Sequence, residues 1–466
     1  MSESPQPLRV AIIGSGPSGL YAAGALQRST DVVAQVDVFD RLPTPWGLVR
    51  AGVAPDHPNI KAVTRMYEKT AAHPEFRFFG NVEIGRDVTV EELSDRYHAV
   101  IYAFGAASDR RLGIEGEDLP GSWAATEFVA WYNGHPDYRD LDFDLTGKTA
   151  VVVGNGNVAA DVARMLALTY EELAVTDVAD HALQELRDSA VTEIIVLGRR
   201  GPAQAAFTNP EVLELGELHD ADVIVDPKDV ELDEHSKAWL ESDAADMTSK
   251  RNVDIFTEYS ERTPEGKRKR VVLRFLTSPV EILGAGKVEG VVVERNELVP
   301  AEDGSLKAKP TGERETIPAS LVFRSVGYRG VALPGVPFDE RRAVIPNEQG
   351  RVLDGPGGEQ VPGQYVVGWI KRGPSGIIGT NKKDAQETVK SLLEDVAAGK
   401  VLQCAQPERE AIESLLAERC GDHVTYAHWE SIDQAERAAG EPQGRPRVKL
   451  CTVPELLDAA GVTVRS

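Results

Sequence analysis

Residues 8–19 read Leu8-Arg9-Val10-Ala11-Ile12-Ile13-Gly14-Ser15-Gly16-Pro17-Ser18-Gly19, and an alanine-rich run from Leu20 to Leu26 follows. An apolar run this continuous predicts a parallel strand buried on both faces, and the run after the glycines predicts a helix. Between them, Gly14 permits the turn, Gly16 lets a pyrophosphate approach the backbone, and Gly19 allows the helix to pack closely on the strand. The helix start then holds negative charge. Such a pattern is weak alone, but here it follows a strand and opens a helix. The next strand, Gln35 to Phe39, ends on Asp40, about 20 residues on, where a carboxylate can accept hydrogen bonds from a ribose diol.

A second segment repeats this grammar: Thr149-Ala150-Val151-Val152-Val153, then Gly154-Asn155-Gly156-Asn157-Val158-Ala159, then Ala160 to Leu168. Ala159 replaces the third glycine, which the fingerprint tolerates. The strand that follows, Glu193 to Leu197, ends in Gly198-Arg199-Arg200 with no acid. Arginine offers a planar fork to phosphate oxygens and a carboxylate would repel them, so this unit is expected to prefer NADPH to NADH. The plainer alternative is a solvated charge pair at a strand end. Two such units mean two dinucleotide sites.

The expected fold is therefore α/β, with two Rossmann-like dinucleotide-binding domains, one for FAD and one for NADP, the second inserted into the first. Ala99 to Ala106 and Leu321 to Gly327 read as paired strands where the chain leaves the first domain and returns. That places the boundaries at 1–107, 108–324 and 325–466. Arg270 to Asn296, alternating around Gly284-Ala285-Gly286, reads as antiparallel strands appended to the second unit.

Bulk properties narrow the function. The formal net charge of -23 argues against nucleic acid, whose binders need a basic surface. No apolar run approaches the roughly 20 residues of a membrane span, and Met1-Ser2-Glu3-Ser4-Pro5 has neither a basic start nor an apolar stretch. A cytoplasmic location without stable membrane insertion is expected. Only Cys404, Cys420 and Cys451 occur, none in a C-x-x-C pair, so redox chemistry falls to bound cofactors and no metal site is expected. The acid-rich Glu217 to Asp246 reads as solvated surface.

From Leu42 to Lys61 the chain is dense in turn formers yet carries Trp46, Val49 and Val53, as a loop that covers something flat would. Together with Gly368-Trp369-Ile370-Lys371-Arg372-Gly373-Pro374-Ser375-Gly376-Ile377-Ile378-Gly379-Thr380-Asn381, it closely resembles the NADPH-ferredoxin reductases of the adrenodoxin reductase type, especially the actinobacterial ones. The resemblance covers nearly the whole chain. It includes Gly198 to Pro202, Gln204 to Thr208, Arg324-Ser325-Val326-Gly327-Tyr328 and the tail Arg445 to Lys449.

The resemblance implies electron transfer from NADPH through FAD to ferredoxin or a similar one-electron iron-sulfur carrier, hydride in and single electrons out. It places Ser18 in the pyrophosphate loop, Asp40 on the FAD ribose, and Leu48 and Ile84 on the flavin nucleotide. Trp369, Gly376, Ile377 and Ile378 correspond to the surroundings of the isoalloxazine. For NADPH the matching positions are Arg110, Asn155, Gly156, Asn157, Val158, Arg199, Arg200, Glu211 and Gly376. Arg111 could serve in place of Arg110. His57, with Glu214 as its matching carboxylate, could hold a proton near the flavin or only fix its loop. Trp46 and Trp369 could both be packing residues. Lys371, Arg372, Lys382 and Lys383 suggest a positive patch for an acidic carrier, or ordinary surface cations. Rival readings are a flavin-dependent monooxygenase, a glutamate synthase type electron-input subunit, which normally carries N-terminal cysteines absent here, and a non-catalytic nucleotide-binding protein.

Overall fold

Strand Leu8–Ile13 is buried along its whole length because alternate residues serve opposite faces of one sheet. Val10 and Ile12 pack with Leu20 and Ala22 of helix Pro17–Gln27, while Ala11 and Ile13 pack with Phe39, Val100 and Tyr102 on the other side. In this computed structural model, which describes residues 7–243, 245–302 and 305–463, the surrounding sheet runs in spatial order Asn347–Glu348, Arg351–Leu353, Gln360–Val366, Ala99–Tyr102, Leu8–Ile13, Ala34–Phe39, Phe76–Phe79. From Gln360–Val366 to Phe76–Phe79 the strands are parallel, with Val10 opposite both Val36 and Ala99. The two strands beyond Gln360–Val366 are antiparallel.

Contacts divide the chain into two units, Met1–Ser108 with Gly327–Ser466, and Asp109–Val326. In the second, a parallel sheet runs Ser122–Ala124, Leu321–Arg324, Thr149–Val153, Glu193–Leu197, Lys269–Arg274, Ala221–Val225. Both sheets carry helices in the strand–turn–helix order of the doubly wound fold, so the fold is α/β with two Rossmann-like units. An antiparallel sheet of Thr277–Leu283, Gly290–Pro300 and Leu306–Pro318 completes the second unit.

The appended antiparallel sheet starts later in the chain than the sequence predicts. Residues 270–274 belong to the segment whose alternation predicts appended antiparallel strands, yet they form part of the parallel sheet, paired with Glu193–Leu197 and Ala221–Val225. The appended antiparallel strands start only at Thr277. Alternation marks any strand with one wet edge or face, so it does not report strand direction.

Much of the acid-rich stretch is exposed, but Asp229 is buried, accepting from Phe275 N at 2.9 Å and pairing with Arg295. Among the described residues no helix is long and apolar enough to cross a membrane, and the three cysteines are unpaired. Met1 to Pro5 lies outside the described residues.

Candidate cofactor sites

The first glycine turn is closed by the residue that sequence reasoning assigned to a ribose. Asp40 Oδ2 accepts from Ser15 N at 3.0 Å and Ser15 Oγ at 2.5 Å, and Oδ1 accepts from Leu42 N at 3.0 Å. A carboxylate offers roughly four acceptor positions, so Oδ1 keeps capacity for a hydroxyl. Gly14 sits at φ +107°, and a Cβ on Gly19 would lie 2.1 Å from Gly14 O. Helix Pro17–Gln27 starts at Gly16 with no side-chain cap, which leaves its first N–H groups turned to whatever binds there.

The loop from Leu42 to Lys61 lies across this turn. Trp46 adopts φ +83°, a region that costs a bulky residue on the order of 1–3 kcal/mol and persists only where the surroundings impose it. Its N–H donates to Ser15 O at 3.2 Å and its ring is buried. Trp46 and Val49 thus point into the core, and Leu48 is left 39% exposed. Ile84 is buried. His57 is buried ahead of the short helix Pro58–Lys61, its N–H donating to Ala54 O at 3.1 Å and its carbonyl accepting from Lys61 N at 3.3 Å.

The return segment comes to the same turn. A Cβ on Gly368 would lie 2.2 Å from the Oγ of Ser18, which is buried in helix Pro17–Gln27. Trp369 packs on Tyr328 at 4.9 Å between ring centroids, and its buried Nε1 has no hydrogen-bond partner among the described residues. Gly376 follows at φ +80°, Ile377 is 63% exposed and Ile378 half-buried. The expected cationic patch does not survive in full. Lys371 is 8% exposed and pairs with Asp384 at 2.8 Å and Glu387 at 2.6 Å, and Arg372 pairs with Asp384 at 3.1 Å. Asp384 also accepts from Gly368 N at 2.5 Å, so these cations organise the segment. Lys382 and Lys383 are exposed, with no ion pair among the described residues.

In the second unit, Gly154 sits at φ +137° and helix Asn157–Ala167 starts at Gly156, again without a side-chain cap. Asn157 Oδ1 accepts from Thr208 N at 2.8 Å and Asn155 O accepts from Ala206 N at 2.8 Å, so the segment Gln204 to Thr208 braces the turn. Val158 is half-buried in the first helical turn. Asn155 Nδ2 is buried with no hydrogen-bond partner among the described residues.

Arg199 is exposed and Arg200 half-buried, and neither side chain has a hydrogen bond or ion pair among the described residues. Burial and the neighbouring Arg199 guanidinium push the Arg200 pKa down, the signature of crowded positive charge without an anion. Arg110 is likewise exposed and unpaired, whereas Arg111 is committed to Asp118 at 2.5 Å. Arg164 was missed in the sequence: buried, it holds Asp161 at 2.8 Å, Glu211 at 3.0 Å and Glu214 at 3.5 Å. Its i, i+3 spacing to Asp161 was legible, but its pairing with Glu211 and Glu214 requires the fold.

The family described as pyridine nucleotide-disulphide oxidoreductase matches residues 8–196. The NADPH-ferredoxin reductase FprA of Mycobacterium tuberculosis is 53% identical over 462 residues, spanning 97% of this chain and 99% of the relative. The chain belongs to the NADPH-ferredoxin reductase family. Within reach of this family is also the mitochondrial NADPH:adrenodoxin oxidoreductase of Arabidopsis thaliana, 42% identical over 98% of this chain and 96% of that one. The solved structure of the Mycobacterium tuberculosis FprA in complex with NADPH superposes with a TM-score of 0.92 at 51% identity, covering 98% of this chain and all of that one, 100%.

FAD and NADP(H) are the cofactors of this reductase. The residues present fit them: two uncapped helix starts, orphaned polar atoms on Asn155 and Trp369, exposed Ile377, and two arginines without anions.

Proposed function

We propose that the chain is a ferredoxin--NADP+ reductase, an FAD-dependent oxidoreductase that passes electrons from NADPH through FAD to ferredoxin or a similar small iron-sulfur carrier. The observation that carries this reading is the pair of uncapped helix starts whose following strands end in opposite charge, Asp40 in one unit and Arg199 with Arg200 in the other. FAD is assigned to Met1–Ser108 with Gly327–Ser466, and NADPH to Asp109–Val326. The names of the relatives support the donor and the class of acceptor.

Bound in the first unit, FAD supplies the exchange between a two-electron donor and a one-electron carrier. The share of the chain is binding and orientation. Gly14, Gly16, Ser18 and Gly19 receive the pyrophosphate of FAD, Asp40 its ribose, and Leu48 and Ile84 its nucleotide; Trp369, Gly376, Ile377 and Ile378 border the ring. On the NADPH side, Asn155, Gly156, Asn157 and Val158 present backbone N–H groups to the pyrophosphate. Arg199 and Arg200 take the 2'-phosphate, Arg110 adds a free cation, and Glu211 is held for the nucleotide by Arg164. His57 and Glu214 are assigned to proton handling. Exposed Lys382 and Lys383 suit an acidic carrier, and ferredoxin reduction should then slow as salt rises. The unpaired cysteines suit a cytoplasmic location.

The test is an anaerobic titration of the purified yellow protein with NADPH and with NADH, followed by oxidised ferredoxin. NADPH should bleach the flavin at far lower concentration than NADH, and ferredoxin should restore the colour. Equal bleaching by NADH would refute the arginine assignment. Oxygen consumption with an organic substrate, and no reduction of any iron-sulfur carrier, would shift the reading to a monooxygenase.

A further inference from the structure

Helix Tyr426–Gly440 stands late in the chain and carries no phosphate-binding motif, yet its buried face meets the strained loop beside the first glycine turn. Tyr426 and Trp429 lie against the Trp46 ring at 6.3 and 6.2 Å between centroids, and Tyr67 closes the cage at 5.6 Å. Two turns further along, Glu436 is wholly buried. Its carboxylate takes Arg50 in a two-bond fork, Nη1 to Oε2 at 2.8 Å and Nη2 to Oε1 at 2.5 Å. Arg447 Nη1 donates to Oε2 at 2.9 Å and Leu450 N to Oε1 at 2.9 Å. Lys449 Nζ reaches Arg50 O at 3.1 Å, and the Arg50 guanidinium lies 5.4 Å from the centre of the Trp429 ring.

Burial alone would raise the Glu436 carboxyl, but Arg50 and Arg447 hold it below the ordinary glutamate range, so it stays charged. A buried ion cluster is a poor way to gain stability, since apolar packing of equal volume often does as well. What it provides is a fixed geometry. Arg50 lies four residues after Trp46, whose left-handed backbone needs outside support. Between them, a Cβ on Gly47 would lie 2.9 Å from Gly16 Cα, so the loop backbone rests directly on the first glycine turn.

We propose that Glu436 is a positioning residue for the flavin site: by clamping Arg50 and Arg447 it holds the loop from Trp46 to Val53 against the first glycine turn and slows the release of FAD. The inference rests on the assignment of FAD to this unit. Breaking the clamp frees a loop whose strained conformation then relaxes, and Gly47 and Leu48 leave their places beside Gly16.

The experiment compares the holoenzyme with Glu436→Gln, Arg50→Met and the double variant. Flavin release is read from the recovery of free-flavin fluorescence, and the geometry of bound flavin from visible circular dichroism. Each single variant should release flavin on the order of 10- to 100-fold faster, the loss expected for one charge-assisted pair. The double variant should be no worse than the more severe single one, because both remove the same fork. If Glu436→Gln does not fold, Arg50→Lys keeps the charge without the fork and should give an intermediate rate. A folded variant with a lowered melting temperature but native release rate and native visible spectrum would overturn the proposal, since a merely structural clamp behaves so. A native chain that holds no flavin would instead defeat the assignment of the unit.

Discussion

The two glycine turns share a backbone and differ in what stands around it. Both leave a buried, mostly apolar strand through a glycine of positive φ, Gly14 or Gly154, and both open an uncapped helix. The first is closed by a carboxylate, with Asp40 bonded to Ser15 and Leu42, and is overlain by a loop held from the far end of the chain. The second is closed by its own neighbourhood, Asn155 and Asn157 bonding Ala206 and Thr208, and ends its next strand in two guanidiniums that have no partner among the described residues. The shared cradle recognises what every dinucleotide has, a pyrophosphate. Choice between ligands, and how long each is held, falls to the tips and the braces.

The largest expected effect strikes that choice. Arg199→Ala with Arg200→Ala should lower kcat/KM for NADPH on the order of 10²- to 10⁴-fold, at about 1.5–3 kcal/mol for each charged hydrogen bond, and change NADH turnover little. Steady-state rates with the two nucleotides decide it; a parallel loss with both would leave the arginines structural. Next comes Gly19→Ala, whose methyl would meet Gly14 O at 2.1 Å. Denaturant unfolding should show a loss of about 3 kcal/mol with weakened flavin retention, and a native midpoint would contradict the packing described. Asp40→Asn turns a donor toward one of the two N–H groups, Ser15 or Leu42, whichever way the amide lies, and should weaken flavin by about 1–2 kcal/mol. Fluorescence titration measures it, and unchanged affinity would remove Asp40 from the flavin site. Smallest is Ala159→Gly, the mirror of Gly19→Ala, because the second turn already accommodates a methyl, buried there. A cost of only about 0.5–1 kcal/mol is expected, and a cost matching that of Gly19→Ala would mean the two turns are packed alike.

Much of this contrast was legible in residue order. Leu8–Ile13 and Thr149–Val153 read as buried strands with the bounds they have, and Asp40 and Arg199 stand where the fingerprint places a discriminating residue. The errors share a cause. Lys371 and Arg372 read as exposed cations, but Asp384 and Glu387, on the helix that follows, pair with them, and Lys371 is buried. Residues 270–274 read as antiparallel, but their neighbours across the sheet are parallel strands from remote parts of the chain. For Trp46 the residue order leaves a cover for something flat and a packing residue both open; its ring is buried in the core, and Leu48 is the residue left outside.

The sequence by itself determined the two cradles, because a strand, a glycine turn and a helix are built from contiguous residues whose periodicity and backbone freedom are local properties. It also determined the charge at each tip, since a residue's distance along one strand and loop needs no partner to be read. Only the tertiary structure decided which charges are free and which are spent. Whether Lys371, Arg50 or Arg164 faces water or a buried carboxylate depends on segments brought together by the burial of apolar surface, and that pairing leaves no periodic trace in the chain.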